Sequence, residues 1–190
     1  MKNRRTALFC LVILLAGAVY FVIRAQQKNG NHQANFSGEW TSKESISMGG
    51  NIVCCYDPGD RMLAKTMNIA EEANFLTIEV SSSFPGSAPV KSQEKLNFDG
   101  TASEINHGQE RGKKSTVKLS ADGQTMTVNS IVHLMTAKPY HTDVQEQLLV
   151  YVTEVWKLSN DGKSITVQAN AKSNSFGDGR SWKTVFDKTR

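Results

Sequence analysis

Val117-Lys118-Leu119-Ser120-Ala121-Asp122-Gly123-Gln124-Thr125-Met126-Thr127-Val128 is the stretch that decides the fold. Asp122-Gly123 supplies a pair of residues that tolerates the positive φ a tight turn requires. On both sides of it apolar and polar residues alternate, Val117 and Leu119 before the turn and Met126 and Val128 after it. A period of two puts successive side chains on opposite faces of an extended chain. Strand, turn and returning strand therefore form a hairpin with one apolar face.

The unit recurs. Trp156-Lys157-Leu158-Ser159-Asn160-Asp161-Gly162-Lys163-Ser164-Ile165-Thr166-Val167 repeats it as Leu-Ser-x-Asp-Gly-x-x-(Met/Ile)-Thr-Val. Lys95-Leu96-Asn97-Phe98-Asp99-Gly100-Thr101 supplies a third Asp-Gly turn. Alternation extends beyond the turns. Met126, Val128, Val132 and Leu134 share one parity against Thr125, Thr127, Asn129 and His133. Leu148, Val150, Val152, Trp156 and Leu158 stand against Gln147, Thr153 and Lys157, and Leu76, Ile78 and Val80 alternate likewise, as do Ile165, Val167 and Ala169. No segment after residue 36 carries a long helical period.

These patterns predict about ten strands, near residues 36–46, 63–70, 74–82, 90–98, 101–106, 113–120, 124–134, 145–158, 163–173 and 181–188. A long meander with short turns closes on itself, because closure removes unpaired edges. The expected fold is all-β, an antiparallel up-and-down β-barrel of about eight to ten strands, preceded by an apolar N-terminal export or anchor helix. Barrels of this size either fill their interior with side chains or hold one small ligand.

The chain of 190 residues carries 22 Lys and Arg against 18 Asp and Glu, a formal charge of +4. Lys2, Arg4, Arg5 and Arg24 fall within residues 1–25, which hold no acid. Removing these four cations from 22 leaves 18 against 18, so residues 26–190 are formally neutral. A neutral domain has no bias toward nucleic acid. With 39% hydrophobic and 21% charged residues, the chain can bury a core, which excludes wholesale disorder.

Basic Lys2, Arg4 and Arg5 precede an uncharged run from Ala7 to Ile23, closed by Arg24. A basic start followed by an apolar stretch is an export signal, its basic end kept in the cytoplasm. Ala16-Gly17-Ala18 fits a cleavage site, whereas the 17-residue run is just long enough for a retained anchor. Residues 1–25 are therefore a signal peptide or an N-terminal membrane anchor. Polar residues 26–35 form a flexible tether, and residues 36–190 form the domain. The expected location is the periplasmic or extracytoplasmic face of the cytoplasmic membrane, with the domain anchored or released by cleavage.

Phe36-Ser37-Gly38-Glu39-Trp40, at the head of the first strand, resembles the Gly-x-Trp signature that opens lipocalins and related calycin barrels. Together with the alternating hairpins ending in Trp182-Lys183-Thr184-Val185-Phe186-Asp187-Lys188, it is similar to small exported lipocalin-like domains of bacteria. The resemblance covers residues 36–190. It implies that Trp40 packs across the closed bottom of a barrel and that Gly38 lets a neighbouring chain approach. The Arg that covers the signature Trp in that family has Lys188 or Arg190 as its stand-in. Thr142-Asp143-Val144 is similar to the family's Thr-Asp-Tyr loop motif without its aromatic residue. The resemblance implies binding of a small ligand inside the barrel.

Few residues point to chemistry. Cys54-Cys55 are adjacent, and Cys10 lies in the apolar run. In an oxidising compartment the pair forms a vicinal disulfide, an intermolecular bond, or two unpaired thiols. Neither cysteine has a histidine nearby to generate thiolate. His32, His107, His133 and His141 have no zinc-ligand spacing, and no cofactor or metal is expected. Glu71-Glu72 reads as a solvated hairpin tip, and Arg111-Gly112-Lys113-Lys114 with Lys118 as a solvated strand edge. Trp40, Trp156 and Trp182 pack the core or line a pocket, which coincide in a small barrel.

The sequence thus predicts a non-catalytic barrel that binds a small apolar or amphipathic ligand. Its inward face includes Trp40, Leu76, Ile78, Val128, Val150, Val152 and Trp156. The competing expectation is an envelope structural or interaction module with a filled barrel, meeting a protein partner through its outer strands or through segments 48–62 and 135–145.

Overall fold

The computed structural model describes residues 35–49, 64–82, 90–108, 111–138, 141–173 and 179–190. The expected export segment, most of the tether, and Cys54 and Cys55 lie outside these described residues. Residues Gln33–Arg190 form one compact unit. Its elements are β1 (Gly38–Gly49), β2 (Ala64–Glu71), β3 (Phe75–Ser82), β4 (Val90–Asn97), β5 (Ser103–Gly108), β6 (Arg111–Leu119), β7 (Thr125–Lys138), β8 (His141–Leu158), β9 (Ser164–Ser173) and β10 (Arg180–Lys188).

Every pairing is antiparallel, and the ladder runs β4-β3-β2-β1-β10-β9-β8-β7-β6-β5. The first and last strands pair through eight residue positions, from Trp40↔Lys188 to Gly49↔Ser181. The sheet curls into an up-and-down barrel closed except at one seam, where β4 and β5 touch without a hydrogen-bonded ladder. Lys113 Nζ and Ser115 Oγ on β6 reach Glu94 of β4 at 3.0 and 2.8 Å, so side chains span the seam that the backbone leaves unpaired.

The two copied Asp-Gly hairpins fold identically. The Ser120 carbonyl accepts the Gly123 N–H at 2.9 Å, as Ser159 accepts that of Gly162. Ser120 Oγ donates to Asp122 Oδ1 and accepts the Thr125 N–H, and Ser159 does the same with Asp161 and Ser164. Gly123 and Gly162 have φ of 71° and 68°, the left-handed region in which a Cβ is penalised. The loop is thus closed by the preceding Ser as well as by Asp-Gly.

Strand direction alternates, so these turns all fall at one end of the barrel, with the 72–74 and 98–102 connections. The same end receives the start of β1 and the end of β10. The strand ends next to residues 50–63, 83–89, 109–110, 139–140 and 174–178, which lie outside the described residues, fall at the opposite end.

Register shifts interrupt four of the ladders, among them β5–β6 between Asn106 and Gly108 and β7–β8 between Ala137 and Lys138. Register shifts occur in β1 between Ser42 and Glu44 and between Ser47 and Gly49, and in β2 between Ala64 and Thr66. The shift in β2 lets Ala64 and Met67, of opposite parity, both face the core.

Candidate functional site

The closed end is built around Trp40. Its indole Nε1 donates to the Phe36 carbonyl at 3.0 Å, and Phe36 N–H donates to Glu71 Oε2 at 2.7 Å. Ser37 Oγ accepts the Glu71 N–H at 2.9 Å. Glu71, expected at a solvated hairpin tip, instead ties the chain's entry to the end of β2. Its carboxylate is positioned to receive a backbone donor that has no ladder partner. Gly38 has φ of 140°, and a Cβ there would lie 2.5 Å from Lys188 Cε and 2.6 Å from Arg190 O. Lys188 Nζ sits 5.2 Å from the Trp40 ring centroid. Of the two stand-ins, Lys188 is the cation over Trp40, while the Arg190 carbonyl accepts the Glu39 N–H at 3.0 Å.

Inward side chains fall into three levels. At the closed end, Trp40, Leu76, Ile78, Val128 and Trp156 join Phe36, Met67, Met126 and Phe186 in one buried cluster. Toward the opposite end, Val150 and the partly buried Val152 pack with Val132, Leu148, Ala169, Ala171 and Trp182 in a second. Five of the seven residues expected on the inward face thus lie in the first cluster and two in the second.

Between the clusters lies a polar level that the sequence reading missed. Successive inward positions run Leu96-Glu94 on β4, Val117-Ser115-Lys113 on β6, Val128-Ser130-Val132 on β7, Trp156-Glu154-Val152 on β8 and Phe186-Thr184-Trp182 on β10. Glu94 and Lys113 are only 5% and 7% exposed, and Ser115, Ser130, Glu154 and Thr184 are buried with them. Ser115 Oγ binds Glu94 Oε1 at 2.8 Å and lies 3.0 Å from Ser130 Oγ. Glu154 Oε2 accepts the Trp156 indole N–H at 3.0 Å. Lys113 corrects the expectation of a solvated edge. It shares the parity of Val117 and Leu119, and β6 pairs on both sides, with β5 and with β7. Lys114 and Lys118 are exposed as expected, Lys114 in an ion pair with Glu104 at 2.9 Å that holds the Glu104 carboxyl below its ordinary range. Parity was the signal that could have found the polar level, since each member falls in an apolar series.

On the outer face of β1 to β4 a trough of about 310 Å³ is lined mainly by outward residues such as Thr41, Asn68, Glu79 and Lys91. Of the seven residues expected on the inward face, Trp40 alone borders it, together with Met67. His133 packs outward beside Gln147, its Nδ1 at 3.3 Å from Gln147 Nε2. Among the described residues no group of three or more His, Cys, Asp or Glu side chains is arranged to hold a metal ion. Ile131 and Tyr151 are cross-strand partners on the outer face and are its exposed large hydrophobic residues among those described.

No protein-family model matches the chain, and no curated protein matches it.

Proposed function

We propose that the barrel is a non-catalytic receptor for one small amphipathic molecule, held in the half away from Trp40. One observation carries this reading: five small buried side chains gather beyond the cluster of Trp40, among larger ones such as Trp182 and Leu148. The closed half presents Trp40, Trp156, Phe186, Phe36 and two methionines, Met67 and Met126. The other half presents Ser115, Ser130, Thr184, Ala169 and Ala171 among its buried inward residues. A barrel of constant strand number keeps a similar cross-section, so smaller side chains occupy less of it. The polar level beside an apolar cluster suits a ligand with a polar end and an apolar body.

The lipocalin-like reading is part of the proposal and draws support from the corner of Gly38, Trp40 and Lys188. Export and tethering outside the cytoplasmic membrane rest on the pattern of residues 1–25. A filled structural barrel is the second reading, favoured by the exposed Ile131–Tyr151 pair, which is flanked in the ladder by Lys114 and Lys172.

Solvent extraction of the purified full-length protein, followed by mass spectrometry, tests the choice. An amphipathic molecule at about one per chain is the expected result. No extractable molecule, with an interior filled by side chains in a crystal structure, would overturn the ligand reading in favour of the structural one.

A further inference from the structure

Three tryptophans are buried inside this barrel, and two of them have a satisfied indole N–H. Trp40 donates to the Phe36 carbonyl and Trp156 to the Glu154 carboxylate, each at 3.0 Å. Trp182 is equally buried, at 1% exposure, yet its Nε1 has no hydrogen-bond partner among the described residues. A buried donor left without an acceptor gives up its hydration and gains no hydrogen bond in return. Native proteins rarely leave such a donor unpaired without a bound water, ion or ligand to account for it.

The surroundings narrow the explanation. Trp182 belongs to the cluster of Val132, Leu148, Val150, Ala169 and Ala171, whose side chains carry no acceptor. Its cross-strand neighbour on β9 is Ala169, the smallest side chain with a Cβ, followed by Ala171 two residues on. Phenylalanine would fill the same place without an orphaned donor. The indole therefore brings a directed N–H into the half of the barrel where the small buried side chains gather.

We propose that Trp182 Nε1–H is the anchoring donor of the ligand site, and that the ligand is an amphiphile whose polar end offers an acceptor oxygen of carboxyl or carbonyl type. This rests on the proposed ligand-binding function and adds the orientation and chemical class of the ligand. The apolar body lies against Val132, Leu148 and Val150, and the oxygen meets the indole.

The test uses full-length protein labelled with 15N and three probes of equal chain length: octanoic acid, methyl octanoate and octane. Trp182→Phe identifies the Trp182 indole resonance by its disappearance from the spectrum. In the unsubstituted protein that resonance is expected to move downfield with octanoic acid or its ester and to stay in place with octane. Movement with the acid alone assigns a carboxylate, and movement with both assigns a carbonyl oxygen. Trp182→Phe is expected to weaken the oxygenated probe by about 2- to 10-fold, the range of a single net hydrogen bond, with octane unaffected. If all three probes bind and the indole resonance does not move, the anchoring role is overturned while the ligand-binding function stands. If none of the three binds at saturating concentration, both fall. If Trp182→Phe fails to fold, the peaks lost in Trp40→Phe and in Trp156→Phe assign the other two indoles and leave the third to Trp182.

Discussion

Lys113 and Glu94 stand 19 residues apart in the chain and 3.0 Å apart in the barrel, both almost wholly buried. Withdrawing two charges from water is expensive, and their attraction offsets this only while both are present and hydrogen-bonded. Ser115 completes the arrangement by donating to the second Glu94 oxygen. Lys113→Met, which leaves Glu94 buried without its cation, is expected to destabilise the fold by about 3–5 kcal/mol in urea unfolding. Adding Glu94→Leu to it should recover most of that loss, since the pair then gives way to apolar groups of similar volume. A double variant no more stable than Lys113→Met would show that the pair is not the unit of stability. The burial of Lys113 was open to inference from its own strand, because it alternates with Val117. Its partner was not, because Glu94 belongs to a strand with which β6 forms no ladder.

At the scale of elements, the Asp-Gly hairpins were legible almost completely. About ten strands were expected, and ten are observed among the described residues with boundaries within a few residues, because turn chemistry and alternation are local properties. The copied Ser-x-Asp-Gly loops also carry a pH dependence. Ser120 Oγ and the Gln124 N–H hold the Asp122 carboxyl below its ordinary value, and Ser159 Oγ and the Lys163 N–H do the same for Asp161. A carboxyl depressed in the folded state stabilises the fold above the unfolded pKa of about 3.9, and that contribution disappears as pH falls through the lower folded value. The urea midpoint is therefore expected to drop as pH falls below about 4. Asp161→Asn should flatten part of that fall, with the slope between pH 4 and 2 as the measurement. An unchanged slope would remove Asp161 from the acid response. What alternation missed at this scale was the bulge in β2, since an inserted residue changes parity without leaving a pattern in composition.

For the barrel unit as a whole, the seam is the distinctive feature. β4 has a ladder partner only in β3, and β5 only in β6, whereas the other eight strands pair on both sides. Unpaired edge amides open locally more readily than those inside a continuous ladder. Hydrogen exchange is therefore expected to be fastest, among the described strands, at seam-facing amides of β4 and β5, and slowest in β7 and β8. Uniform protection around the ladder would mean that the seam pairs in solution. The position of Glu94 at this seam makes the buried ion pair the side-chain closure of a barrel whose backbone does not close.

The sequence by itself determined the strands, their turns and the face on which each side chain lies. These follow from a period of two and from residues that accept positive φ, both readable within a dozen positions. The resemblance of the Gly38-Glu39-Trp40 segment offered Lys188 or Arg190 as the cation over Trp40, and only the structure chose Lys188. The tertiary structure alone decided which inward residues share a level. Levels depend on register around the closed ladder and on contact across the unpaired seam, where no local pattern records the neighbour. That is why Trp40 and Trp156 could be expected inside, while the polar level between the clusters and the unpartnered indole of Trp182 emerged only when the strands were laid side by side.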